Sequence, residues 1–277
     1  MSKLFVLNYK RYQGRRGREL LRLSRNGLVF YTFPAFQSFT CAIFTRLGGV
    51  SRPPFDSLNV GHTVGDDLSA VEENHRLIFE ALGISKEQVV TARQVHGLGL
   101  ALVDERHKGK VIPDTDGLLT ATPGLFLMLR FADCVPLVLY DPVKNAVGLL
   151  HAGWKGSIMG IAFKAIEFMR ETFGSRPEDV VAGIGPSIGP CCYEVGEDVA
   201  ELAREFWPDP PILRTPQGRM HLDLWELNRQ WLLKAGVKKV EVAGICTRCR
   251  NEEFFSHRAS GGLTGRFAVV VGLNGRA

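Results

Sequence analysis

The 277-residue chain has no run of about 18 apolar residues, the length a transmembrane helix needs, so no membrane span is expected. Its start, MSKLFVLNYKRYQGRRGRELLRLSRNG, offers only a short apolar run before basic residues, too little for the core of a secretory signal. The segment is Arg-rich and acid-poor, as transit peptides are, but it lacks their serine content. Internal repeats, low-complexity tracts and Pro/Ser-rich linkers are also missing, which argues against solenoids and against a chain split by a flexible hinge. Six cysteines without a signal do not make a disulfide scaffold, and a reducing cytoplasm is the expected compartment. Cys246 and Cys249 form a lone CxxC and Cys191–Cys192 are adjacent; a zinc knuckle asks for a second CxxC, which is absent. The net charge of +5 is uneven. Residues 1–25 carry eight Lys/Arg against Glu19, and the rest holds 26 basic and 28 acidic residues, so no nucleic-acid-binding surface is expected.

What is present reads as one globular domain, residues 26–277, behind a basic N-terminal segment, residues 1–25, that forms a solvated arm or an edge strand. Apolar β-type runs at LVFYTFPAF and FTCAIFTRLGG precede a loop. Asp67 is placed to N-cap a helix over LSAVEENHRLIFEALG, with Gly83 as its stop. QVVTARQVHG reads as a strand reaching His96, and DTDGLLTATPGLFLMLRFADC supplies two more around Pro123–Gly124. Helical spacing at Ile158, Ile161, Ala162, Ala165, Ile166 and Met169 predicts one helix closed by Gly174. Two further helices cover EDVAELAREFW and DLWELNRQWLLKAGV, and the end is again β-rich. Because the helices fall in blocks instead of following every strand, the pattern favours an α+β layered sandwich over a doubly wound sheet.

VPLVLY and NAVGLL flank DPVK, a four-residue loop with good type I turn chemistry. Pairing Tyr140 with Asn145 sets Cys134 opposite His151, with Cβ atoms roughly 4.5–5.5 Å apart. A slip of one residue sends the two to opposite faces. From the residues alone they are a nucleophile with its base, two metal ligands, or ordinary core residues. A catalytic zinc site needs a third ligand. His96 is one candidate, and His62, His75, His107, His221 and His257 compete with it; His75 and His107 read as surface residues.

FTRLGGVS, LNVGHTVGDD, RQVHG, DTDGLLT, ADCVPLVLYDP, LLHAGWKG, AGIGPSIGPCCYEVG and FFSHRASGGLTGR occur in consistent order from Phe39 to Val271. Together they resemble the YfiH/YlmD family, also described as the polyphenol oxidase or multicopper laccase-domain family and as a family of purine nucleoside phosphorylases. The resemblance implies a single-domain α/β/β/α layered sandwich with mixed sheets. It also implies one metal held by the His of QVHG, the Cys of ADC and the His of HAGW, here His96, Cys134 and His151. The implied activity is zinc-dependent phosphorolysis of adenosine, inosine and methylthioadenosine, with adenosine deamination beside it. Copper is the metal of the older oxidase description. The implied partners are purine nucleosides and phosphate, without nucleic acid or membrane.

The residue types agree with that chemistry. A thiolate and two imidazoles suit Zn2+ or copper, whereas seven histidines in the whole chain are too few for several coppers. A metal that acidifies water suits hydrolytic deamination. Phosphorolysis also needs cationic and amide donors. Arg46, Lys155 and Arg258 match basic positions of the family motifs, and Asn59 is a candidate for ribose or phosphate. His257 departs from the aromatic usual at its position. A copper-dependent phenol oxidase and a metal-free Cys–His hydrolase remain the alternatives.

Overall fold

Strand Phe267–Gly272 alternates Phe267, Val269 and Val271 on one face with Ala268 and Val270 on the other, and all are buried. A strand buried on both faces sits inside a layered structure. The computed structural model, which describes residues 10–13 and 19–275, places this strand within an eight-stranded sheet. The order of that sheet is Lys10–Gln13, Glu19–Arg25, Leu28–Thr32, Thr40–Phe44, Phe267–Gly272, Phe126–Phe131, Val89–Ala92 and Val111–Ile112. A six-stranded sheet runs Lys239–Val242, Val181–Ile184, Val135–Asp141, Ala146–Ala152, Gly117–Thr120 and Leu100–Leu102. Both sheets mix parallel and antiparallel pairs.

The two sheets pack face to face over one apolar layer that includes Leu127, Leu129, Phe131, Val138, Val147, Leu149 and Phe267. Helix α1 (Leu68–Leu82) covers the outer face of the larger sheet through Ile78 and Phe79. On the outer face of the smaller sheet lie α2 (Trp154–Ile158), α3 (Ile161–Phe173), α4 (Glu197–Phe206) and α5 (Leu224–Lys234). The architecture is thus the expected α+β sandwich in α/β/β/α order. Asp67 caps α1 by accepting from the Ser69 amide, and Gly83 ends it in the left-handed region, as expected. Among the described residues no helix is long and apolar enough to cross a membrane.

Several local expectations need correction. The helix read across residues 157–173 is two helices, because Gly160 adopts φ 82° between Met159 and Ile161. His96 stands in a loop four residues beyond its strand, at φ 60°. His75 is buried, with Nε2 3.1 Å from the Val60 carbonyl oxygen. In the central hairpin Asp141 pairs with Ala146 and Pro136 with His151, so the loop is Pro142 to Asn145. Asp141 stays in the strand because its buried Oδ1 accepts from the amides of Val143 and Lys144, at 2.8 and 3.0 Å. The true register differs by two residues from the expected one. Since side chains alternate with period two, Cys134 and His151 still share a face, as diagonal neighbours. Part of the basic segment, residues 1–9 and 14–18, lies outside the described residues; residues 10–13 pair with residues 19–22, and residues 21–25 pair with Leu28–Thr32.

Candidate metal centre

Cys134 and His151 face the gap between the two sheets at one end of the smaller sheet, where the ring of Phe131 lies 5.5 Å from that of His151. His96 arrives from the loop after Val89–Ala92. That loop is fixed at both ends. Gln94 brackets the backbone of Arg130, donating to its carbonyl at 2.8 Å and accepting from its amide at 3.0 Å. Asp116, fully buried, accepts from the amides of Val95, His96 and Gly97 at 3.2, 3.0 and 2.7 Å. Such over-determination lets a non-glycine residue hold a left-handed φ. The ligand atoms of His96, Cys134 and His151 all lie within 4.8 Å of one another. The two imidazoles meet edge to face, centroids 4.8 Å apart. Gly153 leaves room beside them: a Cβ there would stand 3.0 Å from His96 Cδ2, a tight contact that would press on the imidazole.

Asp116 also receives His151 Nδ1 at 2.7 Å. A carboxylate at Nδ1 keeps the proton there and leaves Nε2 as the free donor, the arrangement found behind metal-bound imidazoles. Burial alone would lower the carboxylate's acidity, but His151 and the surrounding amides prevail and hold Asp116 below its usual range. Burial likewise pushes the Cys134 thiol up, while the charge and hydrogen bonds of His151 and then His96 bring it down to about 6. For His151 burial lowers the pKa; the thiolate and Asp116 outweigh it and raise it to about 9. Both shifts favour the charged forms, a thiolate beside an imidazolium. One soft sulfur and two imidazole nitrogens fit Zn2+ or copper, and three protein ligands are the count of a catalytic site, not of a closed structural one.

The remaining expected residues have partners of their own. Asn59 is fully buried with its amide engaged internally: Nδ2 donates to Asp66 Oδ2 at 2.8 Å, and Oδ1 accepts from the amides of Gly61 and Arg266. Arg46 braces loops, donating to the carbonyls of Asp56 and Asn251 and packing 4.6 Å over Phe255. Lys155 is exposed, 5.3 Å over Trp154. Arg258 stacks 5.2 Å over Tyr193, and its amide donates to Asp133 Oδ2 at 2.7 Å. Asp133, at φ 81°, also accepts from Thr247 Oγ1 at 2.6 Å. Three polar residues were not singled out from the sequence: Asp116, Tyr193 and Arg266. Tyr193 stacks under Arg258, whose amide is tied to Asp133, and Arg266 donates its amide to the buried Asn59. All three lie inside the motifs quoted above, but a motif does not say which of its polar residues turns inward.

A family model described as "Multi-copper polyphenol oxidoreductase laccase" matches residues 40–274. The chain is 39% identical over 251 residues to purine nucleoside phosphorylase YlmD of Geobacillus stearothermophilus, covering 86% of this chain and 92% of that protein. It is 41% identical over 232 residues to a purine nucleoside phosphorylase of Deinococcus radiodurans, covering 84% and 88%. The crystal structure of YlmD from Geobacillus stearothermophilus superposes with a TM-score of 0.86 at 37% identity, covering 91% of this chain and 97% of that one.

Proposed function

The chain belongs to the multi-copper polyphenol oxidoreductase laccase family, and from that premise we propose that it is a metal-dependent purine nucleoside phosphorylase. The observation that carries the reading is the His96–Cys134–His151 cluster with Asp116 behind it, in a chain whose full-length relatives bear that name. His96, Cys134 and His151 hold the ion, with Zn2+ as first choice and copper as second. When bound, the ion supplies Lewis-acid stabilisation and lowers the pKa of water that reaches it. Phosphorolysis forms a bond from phosphate oxygen to C1′ of the ribose as the bond to the purine nitrogen breaks. The base leaves with the electron pair and takes up a proton. Arg266 and Arg258 offer cationic donors to phosphate, and Tyr193 offers a ring face to the base. Asp116 keeps Nδ1 of His151 protonated and the imidazole in place. Adenosine, inosine and methylthioadenosine are the proposed substrates, deamination of adenosine a second activity, and residues 26–277 the catalytic unit.

The test is metal analysis of the purified protein beside product analysis with adenosine, with and without phosphate. Free base released only with phosphate, and lost in both His151→Ala and Cys134→Ala, supports the assignment; unchanged turnover in both variants overturns it. The Cys134–His151–Asp116 geometry also has the order of a nucleophile, its base and an orienting carboxylate. Activity that survives complete chelation but is destroyed by a thiol alkylator selects that metal-free mechanism. Copper-dependent oxygen consumption on phenols selects the oxidase.

A further inference from the structure

The vicinal pair Cys191–Cys192 and the CxxC pair Cys246/Cys249, far apart in sequence, meet at one place in the fold. Their sulfurs all lie within 4.8 Å of one another, and all four cysteines are free. Cys249 Sγ is 3.6 Å from that of Cys191 and 3.4 Å from that of Cys192. A disulfide would bring a pair to about 2.0 Å. Four sulfurs around a tetrahedral Zn2+, each at about 2.3 Å, stand about 3.8 Å apart. The observed spacings are close to those of an assembled tetrathiolate. The second CxxC that a zinc knuckle ordinarily asks for is replaced by the vicinal pair, delivered by the turn in which the amides of Cys192 and Tyr193 donate to the Gly189 carbonyl. The amide of Gly189 donates to Cys246 Sγ at 3.2 Å, the kind of contact that steadies a thiolate ligand. Arg250 closes the other turn by donating its amide to the Cys246 carbonyl at 2.9 Å.

We propose that Cys191, Cys192, Cys246 and Cys249 form a second metal site, a closed tetrathiolate that takes one Zn2+ and joins the loop of residues 185–196 to that of residues 244–258. Four protein ligands leave no open position for substrate, so the role is structural. The two loops otherwise meet through few bonds: the Ser187–Cys246 bridge, the Gly189 contact and the Arg258 Nη1 bond to the Glu194 carbonyl at 3.0 Å. They carry Tyr193 and Arg258, which stack on each other, with the Arg258 amide tied to Asp133, the residue before Cys134. The ion sets the spacing of that stack, away from the reacting groups.

The experiment separates the two centres. A His96→Ala/Cys134→Ser double variant leaves a single imidazole at the first. Purified as the full chain, it is expected to retain one Zn2+ per chain, with absorption-edge spectroscopy finding four sulfur neighbours at about 2.3 Å. Adding Cys191→Ser and Cys249→Ser, both at exposed positions, is expected to abolish that ion. Cobalt substitution of the first double variant should give an intense sulfur-to-metal charge-transfer band that the added changes remove. Absence of metal from the His96→Ala/Cys134→Ser protein, a mixed nitrogen–sulfur shell, or thiol titration finding disulfides overturns the proposal. Should the quadruple variant fail to fold, the sulfur count in the double variant decides. The outcome does not depend on nucleoside turnover, so failure of the phosphorylase reading leaves it standing.

Discussion

Asp116 does more for the centre than any residue proposed to bind metal, because one buried carboxylate fixes two of the three ligands. It takes the amide of His96, the Nδ1 proton of His151, and the amides on either side of His96. Asp116→Asn keeps the shape but turns one acceptor into a donor facing amide hydrogens, and it no longer enforces the His151 tautomer. Metal affinity is expected to fall about 10- to 100-fold, measured by competition with a chromophoric chelator. Equal affinity in the variant would show that Asp116 serves the fold alone. His75 gives a second prediction at this scale. Burial lowers its pKa to about 4, despite the Val60 carbonyl, with His62, Glu72 and Arg130 as the charged groups facing it. The unfolded chain protonates near the ordinary 6.5, so it binds more protons than the native state between these values. The His75 contribution to stability is therefore full above about pH 6.5 and is lost as pH falls toward 4, by about 2 kcal/mol at pH 5. Glu72, held at about 2, acts only below its unfolded value of 4.5, outside the upper part of this window. Urea unfolding of wild type and His75→Gln at pH 7.5 and 5 checks it; the decline should shrink in the variant.

Elements were legible where local chemistry decides them and illegible where a turn or a distant partner does. The Asp67 cap, the Gly83 and Gly174 stops and the alternation of Phe267–Gly272 are written in consecutive residues. The hairpin turn was displaced because Asp141 acts twice, as the last strand residue and as the acceptor closing the turn. The face assignment survived since the error was even. Spacing could not select His96, whose position rests on a carboxylate twenty residues away, and it could not pair a CC with a CxxC across more than fifty residues. The break at Gly160 was hidden because α2 and α3 bury the same side, so the apolar pattern runs through it. There a Cβ would meet the ring of Trp231 at 3.1 Å with φ at 82°, whereas at Gly174 the nearest atom is Lys144 Nζ at 3.7 Å. Gly174→Ala is expected to cost about 1 kcal/mol for the left-handed backbone alone. Gly160→Ala adds overpacking and should cost about 2–4 kcal/mol. Denaturant midpoints compare the two; equal losses would mean that Trp231 yields without cost.

At the scale of the whole molecule, the family match begins at residue 40, yet the eight-stranded sheet extends past it through Glu19–Arg25 and Lys10–Gln13. The added strands are attached to the body by particular contacts. Leu20 is buried in the layer between the sheets, and Arg22 pairs with Glu253 at 3.2 Å. Glu253 in turn accepts from Tyr31 at 2.7 Å and pairs with Arg250 at 3.0 Å, so losing Arg22 leaves it with two partners. Burial of Leu20 contributes about 2 kcal/mol, and the partly exposed Arg22–Glu253 pair adds less than about 1 kcal/mol. Among the described residues, those named at the His96–Cys134–His151 centre come from outside these strands. A chain reduced to residues 26–277 is therefore expected to fold with lower stability, by about 2–3 kcal/mol in urea unfolding. It should keep the metal content and specific activity of the full chain. A truncated chain that unfolds more easily but loses no metal fits a catalytic unit with an added edge. One that folds yet loses metal or activity would place the first 25 residues inside the unit, and the basic segment would then need a role at the site.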